Sequence, residues 1–162
     1  MKSESVRSPA MKEIWIIPCN MKLFNVEEHF KKNDTVIWKN SFSIHTGDVA
    51  YIYLSAPYSE IRYRCNVISE KVDEDTLQKN AYAIPTKQSN NYFSKRLKYI
   101  ILELDKTYPV GYLQLQSLRE HGMGQTQIQA RADRRLRAYL FAKEEEMNVK
   151  NEEREKDKIP SN

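Results

Sequence analysis

The residues with chemical potential in this chain are two cysteines, three histidines and a cluster of tyrosines and arginines. Their spacing decides what each could do. Cys19 and Cys65 have no CxxC partner, so neither a metal cluster nor a disulfide framework is expected, and both read as buried or free thiols. His29, His45 and His121 fall on a helix, in a turn and at a helix end, where a solvated or capping imidazole is the ordinary outcome. With four glycines in all, no phosphate-cradling loop can be drawn; GMGQTQ at 122–127 lacks both the preceding strand and the lysine. Nucleophile-plus-base, metal and tuned-carboxylate chemistry have no signature, so the chain reads as a binder, not an enzyme, with no cofactor or metal.

The stretch GDVAYIYLSAPYSEIRYRCNV at 47–67 carries more information, because it reads as two strands joined by a proline turn. Alternation puts Ala50, Ile52 and Leu54 on one face and Val49, Tyr51, Tyr53 and Ser55 on the other. In the second run Ile61, Tyr63, Cys65 and Val67 share a face opposite Arg62, Arg64 and Asn66. An aromatic surface beside a basic edge results.

The 162 residues suit one domain, and 40% apolar residues suffice for one core. No apolar run approaches the roughly 20 residues of a membrane span, and MKSESVRSPAMK lacks the apolar middle of a signal peptide, so a cytoplasmic protein without a membrane partner is expected. The net charge of +4 conceals an asymmetry: residues 11–143 hold 20 basic and 14 acidic side chains, whereas residues 144–162 hold 4 and 7. The part expected to fold is the basic part, which favours a polyanionic partner.

Stepping along the chain, Ile14–Ile17 predicts a strand closed by Pro18, and Asn25 predicts a cap for a helix running through Lys32 with Glu28 at the capping-box position. A loop holding Val36-Ile37-Trp38-Lys39-Asn40 precedes the hairpin, whose second strand is expected to reach Val72. Residues 73–96 read as irregular apart from a short helix at 74–79, and Leu97–Leu104 reads as a buried strand. Two helices are expected at Leu113–His121, stopped by Gly122, and from Ile128 to about Glu145, with Arg131, Arg134 and Arg135 outward. Residues 1–10 and 146–162 are expected to be disordered tails around a domain at 11–145.

The order WIIPCN (15–20), NVEEHF, VIWKN, the 47–67 hairpin and LREHGMGQTQIQ before a closing helix resembles the bacterial EVE domain. EVE domains belong to the PUA-like superfamily, with the YTH readers of methylated adenine. The resemblance spans roughly residues 12–143 and implies an α+β fold: a PUA-like five- or six-stranded pseudo-barrel with flanking helices. It further implies a pocket that takes a modified base flipped out of a nucleic acid, most simply 5-methylcytosine or 5-hydroxymethylcytosine in DNA, with RNA as the alternative. Family members often form the recognition half of modification-dependent restriction systems, so a nuclease or motor partner, in trans or in a longer chain, is expected.

On that resemblance Trp38 is the stacking ring, Tyr51, Tyr53 and Ser55 floor the pocket, Asn20 meets the base edge, and Lys39, Asn40 and Ser41 line the rim. Phosphate contacts are sought among Arg62, Arg64, Lys87, Lys95, Arg96, Lys98, Arg131, Arg134 and Arg135. The segment SFSIH after Trp38 and the stretch 80–96 depart from the family pattern, where specificity loops would lie. A nuclease or RNA-modifying enzyme on the same barrel, or a protein-interaction module, are the competing readings.

Overall fold

All six residues of the strand Val49–Leu54 are buried, which requires cover on both faces and organises everything around it. A computed structural model of the chain describes residues 12–79 and 98–158. In chain order the elements are β1 (Ile14–Cys19), α1 (Val26–Phe30), β2 (Thr35–Lys39), β3 (Val49–Leu54), β4 (Glu60–Ser69), α2 (Glu74–Lys79), β5 (Tyr99–Thr107), α3 (Leu115–Glu120), β6 (Ala130–Arg131) and α4 (Arg134–Lys158). The strands form one mixed sheet in the order β2-β5-β4-β3-β1-β6, parallel only between β1 and β3. This is the α+β architecture that the sequence implies.

On one face of β3, Ala50, Ile52 and Leu54 join Trp15, Ile17 and Trp38 in the larger core, with Val26 of α1 packed in. On the other, Val49, Tyr51 and Tyr53 lie beneath Leu118 of α3 and Leu136 and Leu140 of α4. Burying each large aliphatic side chain stabilises by about 1.5–3 kcal/mol, so β3 alone anchors both layers. Tyr51 stacks on Tyr108, with ring centroids 6.2 Å apart. The aromatic face is therefore a second core, and neither Tyr51 nor Tyr53 floors a pocket.

The expected alternation in β4 breaks at one point. Ile52 pairs with Tyr63 but Tyr53 pairs with Ile61, so Arg62 is an extra residue opposite that step. The bulge turns Ile61 into the second core while Tyr63, Cys65 and Val67 stay in the first. Arg62 is drawn inward, donating from Nε to buried Glu60 at 2.9 Å, and Glu60 also accepts from Gly111 N–H at 2.8 Å.

Asp48 fixes where β1 and β3 begin. Its buried carboxylate accepts from Glu13 N–H (3.1 Å), His45 N–H (2.9 Å) and Trp15 Nε1 (3.0 Å), joining its own turn at 45–48 to the start of β1, more than thirty residues away.

Several boundaries differ from expectation. Residues 35–39 form a strand, not a loop, because Val36 and Trp38 enter one core and Ile37 another, and the ladder partner β5 lies some sixty residues away. β1 continues through Pro18 to Cys19, β4 ends at Ser69 and β5 runs on to Thr107. The last helix starts at Arg134, not Ile128: Asp133 accepts from Leu136 N–H at 2.9 Å as a cap, and Ala130–Arg131 is spent pairing with β1. That helix then continues to Lys158 through residues expected to be a tail. Glu and Lys are strong helix formers, and pairs such as Lys143–Glu146 at 3.0 Å add support. The tail at 1–10, and Lys87, Lys95 and Arg96, lie outside the described residues.

Replacing Asp48 by Ala is expected to cost about 2–4 kcal/mol, since three donors lose a charged acceptor and the Trp15 indole is left buried without a partner. Urea denaturation should show a lower midpoint with an unchanged slope.

Candidate functional site

β6 has two residues, so it covers only part of the β1 edge, pairing Ala130 with Ile16 and Arg131 with Trp15. Beyond that point Pro18, which has no N–H to offer, faces the uncovered side. At the opposite margin of the sheet β2 ends at Lys39. The two margins meet through one side chain: buried Gln129 donates from Nε2 to Lys39 O at 2.6 Å and accepts from Ser41 N–H at 3.0 Å. An amide with one donor and one acceptor thus reproduces a strand pairing where no strand continues.

Above this seam lies a cleft of about 590 Å³. Its apolar walls come from Leu23, Phe24, Trp38, Phe42 and Ile128, and its polar groups from Asn20, Lys39, Ser41, Ser55, Thr126 and Gln127. Of the residues expected to form a base pocket, the cleft gathers Asn20, Trp38, Lys39, Ser41 and Ser55. Tyr51 and Tyr53 are on the far side of the sheet. Asn40 instead organises its own loop, accepting from Phe42 N–H and Ile44 N–H and donating to Ile44 O.

Trp38 is only 5% exposed, and Phe24 meets it edge-on at 5.9 Å between centroids. The indole is a wall of the cleft and a member of the core, not an open stacking platform. The accessible apolar groups are Phe42, 47% exposed, and Ile128, 46% exposed. Phe42 is held by a parallel contact with Trp15 at 6.4 Å, so the Asp48 carboxylate that fixes Trp15 also fixes the rim. Asn20 closes the turn after β1: its side-chain oxygen accepts from Lys22 N–H at 3.0 Å, and its carbonyl accepts from Leu23 and Phe24.

The expected phosphate ligands scatter. Arg62 is buried against Glu60, and Arg64 pairs with Asp105 at 2.7 Å and with Glu144 at 3.4 Å. Both serve the fold. Arg131 pairs with Glu13 at 3.1 Å, and Arg135 donates to Glu120 O. Arg134 makes no ion pair among the described residues, and Lys98 borders a different cavity. Sequence reasoning missed Phe42, Ile128 and Gln129 as cleft residues. The departure at SFSIH was a signal for Phe42; Gln129 had none, because its partners are backbone atoms about ninety positions away.

Cys19 also borders the cleft, but burial pushes its thiol up to about 12, against a weak opposing bond from the Val26 backbone. Burial likewise pushes Cys65 up to about 12. Among the described residues, no group of three or more His, Cys, Asp or Glu side chains could hold a metal ion, and no helix is long and apolar enough to cross a membrane.

No family model matches the chain, and no curated protein matches it either. Solved structures do. The ASCH protein of Zymomonas mobilis is similar over 80% of this chain and 94% of its own, with a TM-score of 0.59 and 15% identity. A single-residue variant of that protein gives 0.60 at 14% identity, over 81% of this chain and 96% of its own. A hypothetical protein from Leishmania major gives 0.59 at 14%, over 87% and 99%. These likenesses show the fold: the chain shares the six-stranded α+β architecture of the ASCH structures, whose domains are of the PUA-like kind.

Two outcomes follow from the seam and the thiols. Gln129→Leu, which leaves Lys39 O and Ser41 N–H without their partner, should cost about 1–3 kcal/mol in urea denaturation and speed amide exchange at Ser41. At pH 8 neither cysteine should react with a thiol reagent in the folded protein, because a thiol raised to about 12 is almost wholly protonated there, while both should react in denaturant.

Proposed function

We propose that the chain is a non-catalytic nucleic-acid reader that takes one unpaired base into the cleft over the β1–β2 seam. The observation that carries this reading is the pairing of apolar side chains with polar groups in one opening. Phe42 and Ile128, with the partly buried Phe24, offer surfaces for the faces of a ring, and Asn20, Ser55 and Gln127 offer donors and acceptors for its edge. A volume of about 590 Å³ is within the range of small-ligand sites. Contact of a base with an aromatic side chain stabilises by about 1–3 kcal/mol, enough to offset much of the few kcal/mol lost on unstacking it. The fold shared with the ASCH structures and the Lys39 ammonium beside the cleft agree with a polyanionic partner.

The finer part of the proposal is a modified base, with 5-methylcytosine or 5-hydroxymethylcytosine in DNA first, as the EVE resemblance implies. The apolar wall supports it, because a methyl group is recognised only by burying it. One fully buried methyl contributes about 0.8 kcal/mol, or about fourfold in affinity. In that role the chain would direct a nuclease or motor partner. RNA is the second arm of the same experiment.

Binding should be measured by anisotropy against matched DNA and RNA carrying plain, 5-methyl, 5-hydroxymethyl and N4-methyl cytosine and N6-methyladenine, at two salt concentrations. The expected result is salt-weakened binding with a preference of up to about fourfold for one modified cytosine, and roughly a tenfold loss in Ile128→Asp. Absence of binding to every oligonucleotide, or binding that Ile128→Asp and Asn20→Ala leave untouched, would remove the cleft from the function. Trp38→Ala is the wrong test, since emptying a core tryptophan site costs about 3–5 kcal/mol of stability.

A further inference from the structure

The loop after β2 is a partition. Lys39 and Ser41 border the cleft described above, whereas Asn40, Ser43 and Ile44 border a second cavity of about 470 Å³. Phe42 borders both. Its ring is half-exposed, its plane is set by the contact with Trp15, and its loop is held by the three hydrogen bonds of the Asn40 amide. A half-exposed aromatic ring so fixed lies between the two openings.

The second cavity also has the chemistry for a nucleotide. Ile68, 43% exposed, gives it an apolar wall, and Lys71 and Lys98 give it two ammonium groups. Glu70 is the one acid among its described lining residues, and both of its oxygens are engaged: Oε1 by His45 Nδ1 at 2.9 Å and Oε2 by Thr46 N–H at 2.8 Å. Partial burial would raise that carboxyl, but the bonds from Thr46 and His45 outweigh it and hold the group below the usual carboxylate range. The carboxylate stays ionised, but its two bonds turn it towards His45 and Thr46, and the two lysines outnumber it.

Resting on the nucleic-acid reading above, we propose that this cavity is a subsite for the neighbouring nucleotide of a single-stranded oligonucleotide, with Phe42 standing between the two bases. The strand crosses the 40–44 loop, one base in each opening, with its linking phosphate drawn to the side of Lys71 and Lys98. Bases parted by a side chain cannot both remain stacked and paired in a duplex, so the ligand class is an unpaired strand.

The test is a length series: a nucleoside monophosphate, a dinucleotide and a tetranucleotide of one sequence, together with the tetranucleotide's duplex, titrated by calorimetry into wild type, Ile68→Asp, Lys71→Glu and Phe42→Ala, each checked by thermal melting. In wild type the dinucleotide should bind at least roughly tenfold tighter than the monophosphate, and the single strand tighter than its duplex. Ile68→Asp and Lys71→Glu, which alter the second cavity alone, should bring that dinucleotide-to-monophosphate ratio towards one, and Phe42→Ala should do the same. A ratio near one in wild type, a ratio unchanged in all three variants, or a duplex bound as tightly as the strand would overturn the second subsite while leaving the first cleft standing. No binding at any length would overturn both.

Discussion

A curved sheet has two margins, and the manner in which they meet decides what this molecule can hold. Here the meeting is incomplete. β6 supplies two residues of pairing to β1, β2 stops at Lys39, and the hydrogen bonding across the seam passes to the Gln129 amide. Had β6 been longer, ladder hydrogen bonds would have filled the seam and left no concavity. Pro18 reinforces the opening from the other side, because its nitrogen gives an extended β6 nothing to accept. The cleft is thus a defect of pairing retained by two residues of opposite talent, one that bridges and one that cannot bond.

What was legible in the sequence was local. The Asn25 cap is observed, with its side chain accepting from Glu28 N–H, and so are the Pro57 turn and the short helix at 74–79. The alternation in β3 sorts its side chains correctly between two faces. Its meaning was misjudged, because alternation identifies faces and says nothing about what covers them. Tyr51 is covered by α4 and by Tyr108, and burial aided by the nearby Glu144 charge pushes its phenol up to about 12. An aromatic face read as a binding floor is in fact where the helical layer attaches.

The misplaced arginines have a related cause. A charge run read from sequence is taken as solvated, yet a bulge can swing a charged side chain inward if an acid waits there. Glu60 waits for Arg62, two positions away on the same strand, and Glu144 of α4 reaches Arg64, Lys106 and the Tyr108 hydroxyl together. These pairs tie β4 and β5 to α4 and take Arg62, Arg64 and Lys106 away from any ligand. The basic excess of the chain is therefore not a measure of its basic surface.

α4 shows the limit of composition from the opposite direction. Its apolar contacts with the body, from Leu136 through Leu140 to Met147, span three turns, and Glu144 anchors it among cations and a phenol. Past Met147 no side chain packs on either core among the described residues, and the helix rests on propensity and on charges of both signs. Such a sequence has the composition of a disordered tail and the composition of an exposed helix at once. What separates the two outcomes is a nucleus, because the costly first turns are already formed where Asp133 caps them and the core holds them. Extension from that point requires only that each added residue not be unfavourable, which is a weaker demand than forming a helix alone. The strand ladders differ in this respect: Thr35-Val36-Ile37-Trp38 are all residue types that favour strands, so β2 brings its own propensity and β5 supplies the ladder that receives it.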